Sequence, residues 1–276
     1  MKVLYGVTIA LSAALLFTVE PLIARTLLPQ LGGSSAVWLS SLAFFQLALL
    51  LGYGYTSFLT RVLRHRPWLL HLALLFLAAA ALFTTSPSHA VSLGTASPQI
   101  RIFLLLTLTI GLPFTTLSTT APLLQAWYAQ REQTAVPYRL FGLSNFASLL
   151  ALLAYPLLIE PHLTLHTQWL LWRLAFLAYL TLTAVLCFRM RSAARPAPEP
   201  LQDIPSSPEP TVSSAPSLLP QAAPALPSPP VRRRILLWLL LPASASLQLA
   251  AVTSHLTQDI ASFPLLWVLP LAVYLL

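Results

Sequence analysis

Three of the seven acidic residues stand at or near the ends of long apolar segments, where carboxylates are rare. Glu20 and Glu160 each come directly before a proline, and Asp259 follows a further apolar run. A charge at the centre of a membrane helix costs about 2.5 to 3.5 kcal/mol, so such residues usually face a partner or a cavity. We predict a polar binding cluster at the outer helix ends, made of Glu20, Arg25, Glu160 and Asp259, in which Arg25 or Arg173 pairs with Glu20 or Glu160.

Two other interpretations of these residues stay open. A glutamate before proline can simply mark a helix end, because proline disfavours the helical conformation of the preceding residue. Imidazole and carboxylate groups also bind metals, and the candidates here are Glu160, His162, His166, His255 and Asp259. Nothing in the sequence fixes these side chains on one helix face, so neither a metal site nor a cofactor is predicted.

The fourth apolar segment is the least regular. Gly111-Leu112-Pro113 interrupts it, and a run of serines and threonines follows. Freed carbonyl groups in a membrane must be satisfied by hydroxyls, water or substrate. The segment is either a broken helix of the transporter type or a kinked helix whose hydroxyls bond to their own backbone. Gln125 and Asn145 are predicted to line a substrate pathway, with interhelical hydrogen bonding as the alternative for Asn145.

The composition identifies a membrane protein and excludes several classes of chemistry. The 276 residues are 57% hydrophobic and 8% charged, whereas soluble domains carry about 25% charged residues. No glycine-rich loop is present to hold nucleotide phosphates, and the single cysteine excludes an internal disulfide. The net charge of +8 comes from clusters beside apolar segments, so the predicted partner is the lipid bilayer and not nucleic acid. No catalytic residue is predicted.

Six apolar segments precede a change in composition, each near the length of about 20 residues that a spanning helix needs. They cover approximately residues 3–24, 37–59, 68–84, 102–124, 140–159 and 169–188. With the N-terminus in the cytoplasm, twelve of the fifteen basic residues fall on the inner side, as the positive-inside rule requires. Five tryptophans near the predicted interfaces are interpreted as anchors: Trp38, Trp127, Trp169, Trp172 and Trp238.

The chain divides into three regions. Residues 1–190 form the six-helix bundle, and residues 191–231, with twelve of the 25 prolines, are predicted to be a disordered cytoplasmic linker. Residues 232–276 begin a second helical set, whose last run is too short to cross a bilayer, so we expect truncation within a helix. The predicted fold is an all-α polytopic transmembrane bundle of about seven to eight helices.

Several long strings resemble a known family. They include Glu20-Pro21-Leu22-Ile23-Ala24-Arg25, Phe45-Gln46, Ser118-Thr119-Thr120-Ala121-Pro122-Leu123-Leu124-Gln125-Ala126-Trp127, Leu143-Ser144-Asn145, Glu160-Pro161 and Asp259-Ile260-Ala261. These strings resemble the membrane part of bacterial spermidine-synthase-like membrane proteins, in which a major-facilitator-like membrane region is fused to a spermidine synthase domain. The resemblance covers nearly everything outside the linker.

This resemblance implies a major-facilitator-like six-helix half in the bacterial inner membrane, linked to polyamine or related small-molecule metabolism. It also implies a soluble synthase-like domain or partner, whose glycine-rich loop and acidic residues are missing here, so this chain is not expected to be an enzyme. The matching motif positions, Glu20, Arg25, Gln125, Asn145, Glu160 and Asp259, receive no chemical role from it. Two rival functions stay open: a transporter of the major-facilitator type, and a membrane anchor or scaffold for a synthase partner.

Overall fold

The structure, a computed structural model, describes residues 2–32, 35–61, 67–84, 97–132, 138–192 and 231–259. Every secondary-structure element in these ranges is helical. The α-helices are α1 (Lys2–Leu31), α2 (Ser35–Arg61), α3 (Pro67–Thr84), α4 (Pro98–Leu106), α5 (Leu112–Glu132), α6 (Tyr138–Ala154), α7 (Glu160–His162), α8 (Leu165–Ser192) and α9 (Val231–Asp259). Two π-helical turns, Thr107–Gly111 and Tyr155–Ile159, join α4 to α5 and α6 to α7. The six apolar segments predicted from the sequence keep their numbers below as spans: the first three correspond to α1, α2 and α3, the fourth to α4 with α5, the fifth to α6 with α7, and the sixth to α8.

Five helical stretches are long and apolar enough to cross a membrane. They are Lys2–Pro29, Ala36–Arg61, Gln99–Ala129, Tyr138–His162 and Leu165–Arg189. Shorter apolar helices cover Trp68–Thr84 and Leu236–Val252. The prediction of an all-helical fold is therefore confirmed for the described residues, which contain five helices long and apolar enough to span a membrane. The count of seven to eight spanning helices stays a prediction. Residues 193–230 of the predicted linker, and residues 260–276 with the predicted eighth segment, lie outside the described residues.

Helix α1 continues through Pro21 and ends ten residues later, at Leu31. The interpretation of Glu20 as the last residue before a proline stop is therefore wrong. Proline is tolerated inside membrane helices where neighbouring helices compensate for the lost hydrogen bond, and α1 packs against four other spans. Glu160, by contrast, does lie at a helix end, since α7 finishes at His162.

The irregularity predicted in the fourth segment is present as a π-helical turn. This turn, Thr107–Gly111, lies directly before α5, and Pro113 near the start of α5 has no backbone N–H to donate. A second π-helical turn, Tyr155–Ile159, contains Pro156 in the fifth span and does not follow from the sequence pattern. Such turns frequently mark functional sites.

The first and fourth spans form the centre of the bundle. The first packs against the fourth, fifth and sixth spans, and the fourth packs against the first, second and third. The third and sixth spans also contact each other. Leu16 and Val19 of α1 belong to the principal apolar core, as do Phe114 and Leu117 of α5. A polar side chain buried in α1 therefore lies in an apolar setting.

Helix α9 lies against the second span. Its Leu249 packs on a small apolar cluster of Ala24, Trp38 and Leu152. The first half of α9 exposes large apolar side chains, and Trp238 is 73% exposed. A continuous apolar surface of this kind is typical of contact with lipid or with a further helix.

Candidate functional site

Glu20 lies deep inside the first span rather than at its end. Nine residues separate it from Pro29, where the span finishes, which corresponds to about 14 Å along the helix axis. The Glu20 side chain is 5% exposed, and Leu16 and Ile23 on the same helix face are buried as well. In the described part of the chain, no hydrogen bond or ion pair reaches the Glu20 carboxylate. The residue is a buried acid in apolar surroundings.

Arg25 and Glu160 meet where α1 and the fifth span finish, which we call the outer end of the bundle, following the predicted orientation. Arg25 Nη1 lies 3.9 Å from Glu160 Oε1 and donates to the Glu160 backbone carbonyl at 3.4 Å. The two side chains are 34% and 31% exposed. The structure thus brings two members of the predicted cluster together, in a long and partly hydrated pair that adds little stability.

A hydrogen-bonded network lies beside this pair. The Tyr155 hydroxyl, at the start of the π-helical turn in the fifth span, donates to Gln168 Oε1 at 2.8 Å. Gln168 Nε2 in turn donates to the Leu163 carbonyl at 2.9 Å. The π-helical turn therefore positions a buried hydroxyl that bonds to Gln168 of α8, and no motif in the sequence marks Tyr155 or Gln168.

Arg173 was the other predicted partner for the carboxylates, but the structure places it among aromatic rings. Its guanidinium carbon lies 5.9 Å from the centre of the Phe83 ring and 6.0 Å from that of the Trp169 ring. Both distances fall within the range of cation–π contacts. Arg173 Nε is buried and has no hydrogen-bond partner among the described residues. The pairing of Arg173 with Glu20 or Glu160 is therefore not observed in the described residues.

The interpretation of the tryptophans as membrane anchors is wrong for three of them. Trp38, Trp127 and Trp172 are each 4 to 5% exposed. The indole nitrogen of Trp172 donates to the Leu15 carbonyl at 3.0 Å, which ties α8 to α1. Their burial explains the difference, because the side chains face neighbouring helices and not lipid.

The remaining predicted site residues do not join the outer pair. Asp259 is the last residue of α9, and its side chain lies outside the described residues. Gln125 and Asn145 are partly buried in the inner halves of their spans, and neither side chain has a hydrogen-bond partner in the described part of the chain. No group of three or more His, Cys, Asp or Glu side chains able to hold a metal occurs in the described ranges.

The hydroxyl-rich stretch of α5 is satisfied largely within its own helix. Thr115, Thr116, Ser118 and Thr119 donate to carbonyls one turn earlier at 2.7 to 2.8 Å. Thr120 donates to the Thr116 carbonyl at 3.2 Å, and its hydroxyl lies 2.5 Å from that of Tyr179 in α8. Of the two predicted alternatives, the bonding pattern favours a helix whose hydroxyls bond to their own backbone.

A second buried polar cluster lies at the opposite, inner end of the bundle. His71 of α3 is 1% exposed, and its ring centre lies 6.1 Å from that of Tyr55 in α2 and 6.2 Å from that of Trp127 in α5. We call these three residues the inner aromatic cluster. An isolated histidine inside an apolar run was the signal available in the sequence, and its partners on other helices could not be read from it.

No family model, curated protein or solved structure matches this chain. The function must therefore be argued from the buried polar groups. Glu20 offers a carboxylate buried within the first span, and the Arg25–Glu160 pair offers one charge of each sign at a partly exposed position. A buried carboxylate can pair with a cation.

Proposed function

We propose that the chain is the membrane region of a solute-handling protein of the major-facilitator type, and that its solute is a small organic cation. In this proposal residues 1–190 form a six-helix half, 191–231 a cytoplasmic linker, and 232–276 the start of a second helical set. The protein resides in the bacterial inner membrane with its N-terminus in the cytoplasm. Resemblance to spermidine-synthase-like membrane proteins supports a polyamine or related amine as the solute, with any catalysis in a synthase-like domain or partner.

The buried carboxylate of Glu20 carries this proposal. A buried charge without a partner is costly, and acids at membrane depth usually mark the route of an ion or substrate. Pro21 has no N–H to donate to the Phe17 carbonyl, so a second oxygen acceptor lies within one turn of Glu20. These two oxygens suit an ammonium group, which carries three hydrogen-bond donors and no acceptor.

The packing of the six spans supports a transporter-type architecture. The contacts between spans are the same when spans one, two and three are renumbered as four, five and six, and the reverse. After this renumbering, every pair of packed spans corresponds to a pair that is also packed. First–fifth becomes fourth–second, first–sixth becomes fourth–third, and first–second becomes fourth–fifth. Because each half has an odd number of spans, the second half starts on the opposite side of the bundle from the first. The halves are therefore related as inverted repeats. Such repeats underlie many secondary transporters.

The amino-acid sequence carries the same repeat. Thr18-Val19-Glu20-Pro21-Leu22 corresponds to Thr119-Thr120-Ala121-Pro122-Leu123, and Trp68-Leu69-Leu70 corresponds to Trp169-Leu170-Leu171, each 101 residues later. Glu20 and Ala121 are therefore equivalent positions. Threonine, proline and leucine recur at three of the five aligned positions, whereas Val19 and Glu20 align with Thr120 and Ala121. A carboxylate where the other copy has a small apolar side chain supports a functional role for Glu20.

A membrane anchor for a synthase-like partner is the second candidate. The hydroxyl groups of α5 are bonded within the helix, which leaves few of them available to a solute. The Arg25–Glu160 pair can also hold two helix ends together without binding anything else. An anchor needs no internal site, so the two candidates differ in whether Glu20 is required.

Uptake of radiolabelled butane-1,4-diamine by the purified chain in proteoliposomes tests the proposal. We expect saturable uptake, and Glu20→Gln should lower it by about tenfold or more, since the amide keeps the size but loses the charge that pairs with ammonium. Glu199→Gln is the control, because it removes a carboxylate from the predicted linker. Absence of uptake by the wild type, or equal uptake by Glu20→Gln, would contradict the proposal and favour the anchor.

A further inference from the structure

The inner aromatic cluster brings electron-rich groups from three helices together. The Trp127 ring stands at 87° to the His71 imidazole, an edge-to-face arrangement, and the Tyr55 ring is inclined to it by 30°. His71 is 1% exposed, and Trp127 is 4% exposed. The imidazole is therefore enclosed between aromatic rings of the second and fourth spans.

Two polar atoms of this cluster lack a hydrogen bond in the part of the chain that the structure describes. They are His71 Nδ1 and the Tyr55 hydroxyl oxygen, and both atoms are buried. Buried polar atoms without a partner are costly, and native proteins keep few of them. Apolar side chains would fill the same volume without that cost, so the presence of both groups points to a ligand that bonds with them.

We infer that the inner aromatic cluster binds the amino group of a small amine. A histidine nitrogen and a phenol oxygen can both accept hydrogen bonds, and the faces of indole and phenol attract a cation. The ring faces favour a cation over an anion, and the two atoms without a partner can accept the hydrogen bonds that an ammonium group donates. The inference rests on the proposed function and adds to it a second binding site, at the inner end, for the same class of solute.

The thiol of Cys187 can report whether this binding site is occupied. Cys187 is the only cysteine and is buried in α8. It belongs to the same apolar cluster as Trp127, and Tyr55 packs against that cluster. An amine bound between Tyr55 and Trp127 would therefore lie beside the cluster that holds the Cys187 thiol. Occupation of this binding site should therefore slow the reaction of the Cys187 thiol with a small reagent.

The experiment measures the rate at which N-ethylmaleimide alkylates Cys187 in the detergent-solubilised chain, with and without butane-1,4-diamine. We expect the diamine to slow alkylation, and butane-1,4-diol, which has the same length and no charge, to have no effect. Tyr55→Phe and His71→Phe should each raise the diamine concentration needed for protection by about tenfold, the usual consequence of losing a hydrogen bond to a charged group. Tyr138→Phe and His166→Phe are matched controls, because the parent side chains are exposed.

Two results would overturn the inference: no protection by the diamine, or unchanged protection in both cluster variants. Both variants should melt no lower than the wild type, since each removes a polar atom without a partner. Glu20→Gln separates this inference from the proposed function. It should lower uptake by about tenfold or more and leave protection of Cys187 intact, so failure of either proposal is visible independently of the other.

Discussion

Glu20 and Arg25 belong to one short motif, but the structure places them in different surroundings. Arg25 reaches the outer end and pairs with Glu160 on another span, at 3.9 Å. Glu20 stays about 14 Å inside the end of its span, with a 5% exposed side chain. The ion pair that the structure gives Arg25 is with Glu160 and not with Glu20. In the proposed function, Glu20 is therefore the carboxylate that binds the cationic solute.

The Arg25–Glu160 pair should contribute little to stability. Arg25→Gln and Glu160→Gln should each lower the free energy of unfolding by less than about 1 kcal/mol, because exposed ion pairs are screened by water. Thermal unfolding of the two single variants and the double variant in detergent gives the coupling energy between them. A coupling of roughly 3 kcal/mol would show that the pair is effectively buried, and would support a structural role in closing the outer end.

Tyr179 should be a stability residue. It is fully buried, and its hydroxyl lies 2.5 Å from Thr120 Oγ1 and donates to the Thr116 carbonyl at 3.3 Å. Tyr179→Phe should lower the free energy of unfolding by about 1 kcal/mol, the net worth of a typical buried hydrogen bond. Tyr138→Phe, at a 77% exposed position, should leave the melting temperature unchanged. Equal melting temperatures for all three proteins would contradict the prediction.

Single residues show what the sequence could and could not predict about the site. Glu20, Arg25 and Glu160 are recognisable because charges are rare in apolar segments. Tyr155 and His71 were missed, because their significance depends on partners from other helices, such as the Gln168 amide and the Tyr55 ring. A side chain's hydrogen-bond partner across 13 or more residues is set by helix packing, which local sequence does not encode.

Among the helices, prolines had effects that depended on their surroundings. Pro21 leaves α1 continuous to Leu31, whereas Pro156 lies within a π-helical turn. The sequence predicts where the backbone loses a donor. Whether the helix ends, kinks or widens depends on the neighbouring spans that compensate for the loss, and this outcome needed the structure.

The contact between the second and fourth spans should depend on Gly52. A Cβ atom there would overlap the Ser118 hydroxyl and lie 3.1 Å from the Thr115 backbone oxygen. Gly52→Ala should therefore force α2 and α5 apart and lower the free energy of unfolding by about 1 to 3 kcal/mol. Gly54→Ala is the matched control, because a Cβ at Gly54 meets no atom within 4 Å.

Thermal unfolding of the two glycine variants in the same detergent makes the comparison. Gly54→Ala should be as stable as the wild type or slightly more stable, since alanine is the better helix former. Equal destabilisation by both substitutions would mean that flexibility of α2, and not close packing on α5, is what the glycines provide.

The whole molecule was predictable in its class and its spans, and less so in its packing. Apolar length predicts the spans, and five of the six predicted segments are long enough to cross a membrane, whereas the third, Trp68–Thr84, is a shorter apolar helix. The two halves share only short strings, such as Thr-x-x-Pro-Leu and Trp-Leu-Leu, so the sequence pattern alone did not suggest a repeat. The equivalent packing partners of the first and fourth spans needed the structure.

We predict that the chain as a whole lies in the membrane with its N-terminus in the cytoplasm, and cysteine labelling tests this orientation. Single cysteines are placed at exposed positions in a Cys187→Ser background, at Ser97 and His166 for the outer end and at Tyr138 for the inner end. These substitutions keep every arginine, so the charge distribution that determines topology is unchanged. An impermeant maleimide should label Ser97→Cys and His166→Cys in intact cells, and Tyr138→Cys only after permeabilisation. The reverse pattern would place the Arg25–Glu160 pair on the cytoplasmic side, and the inner aromatic cluster would then face outward.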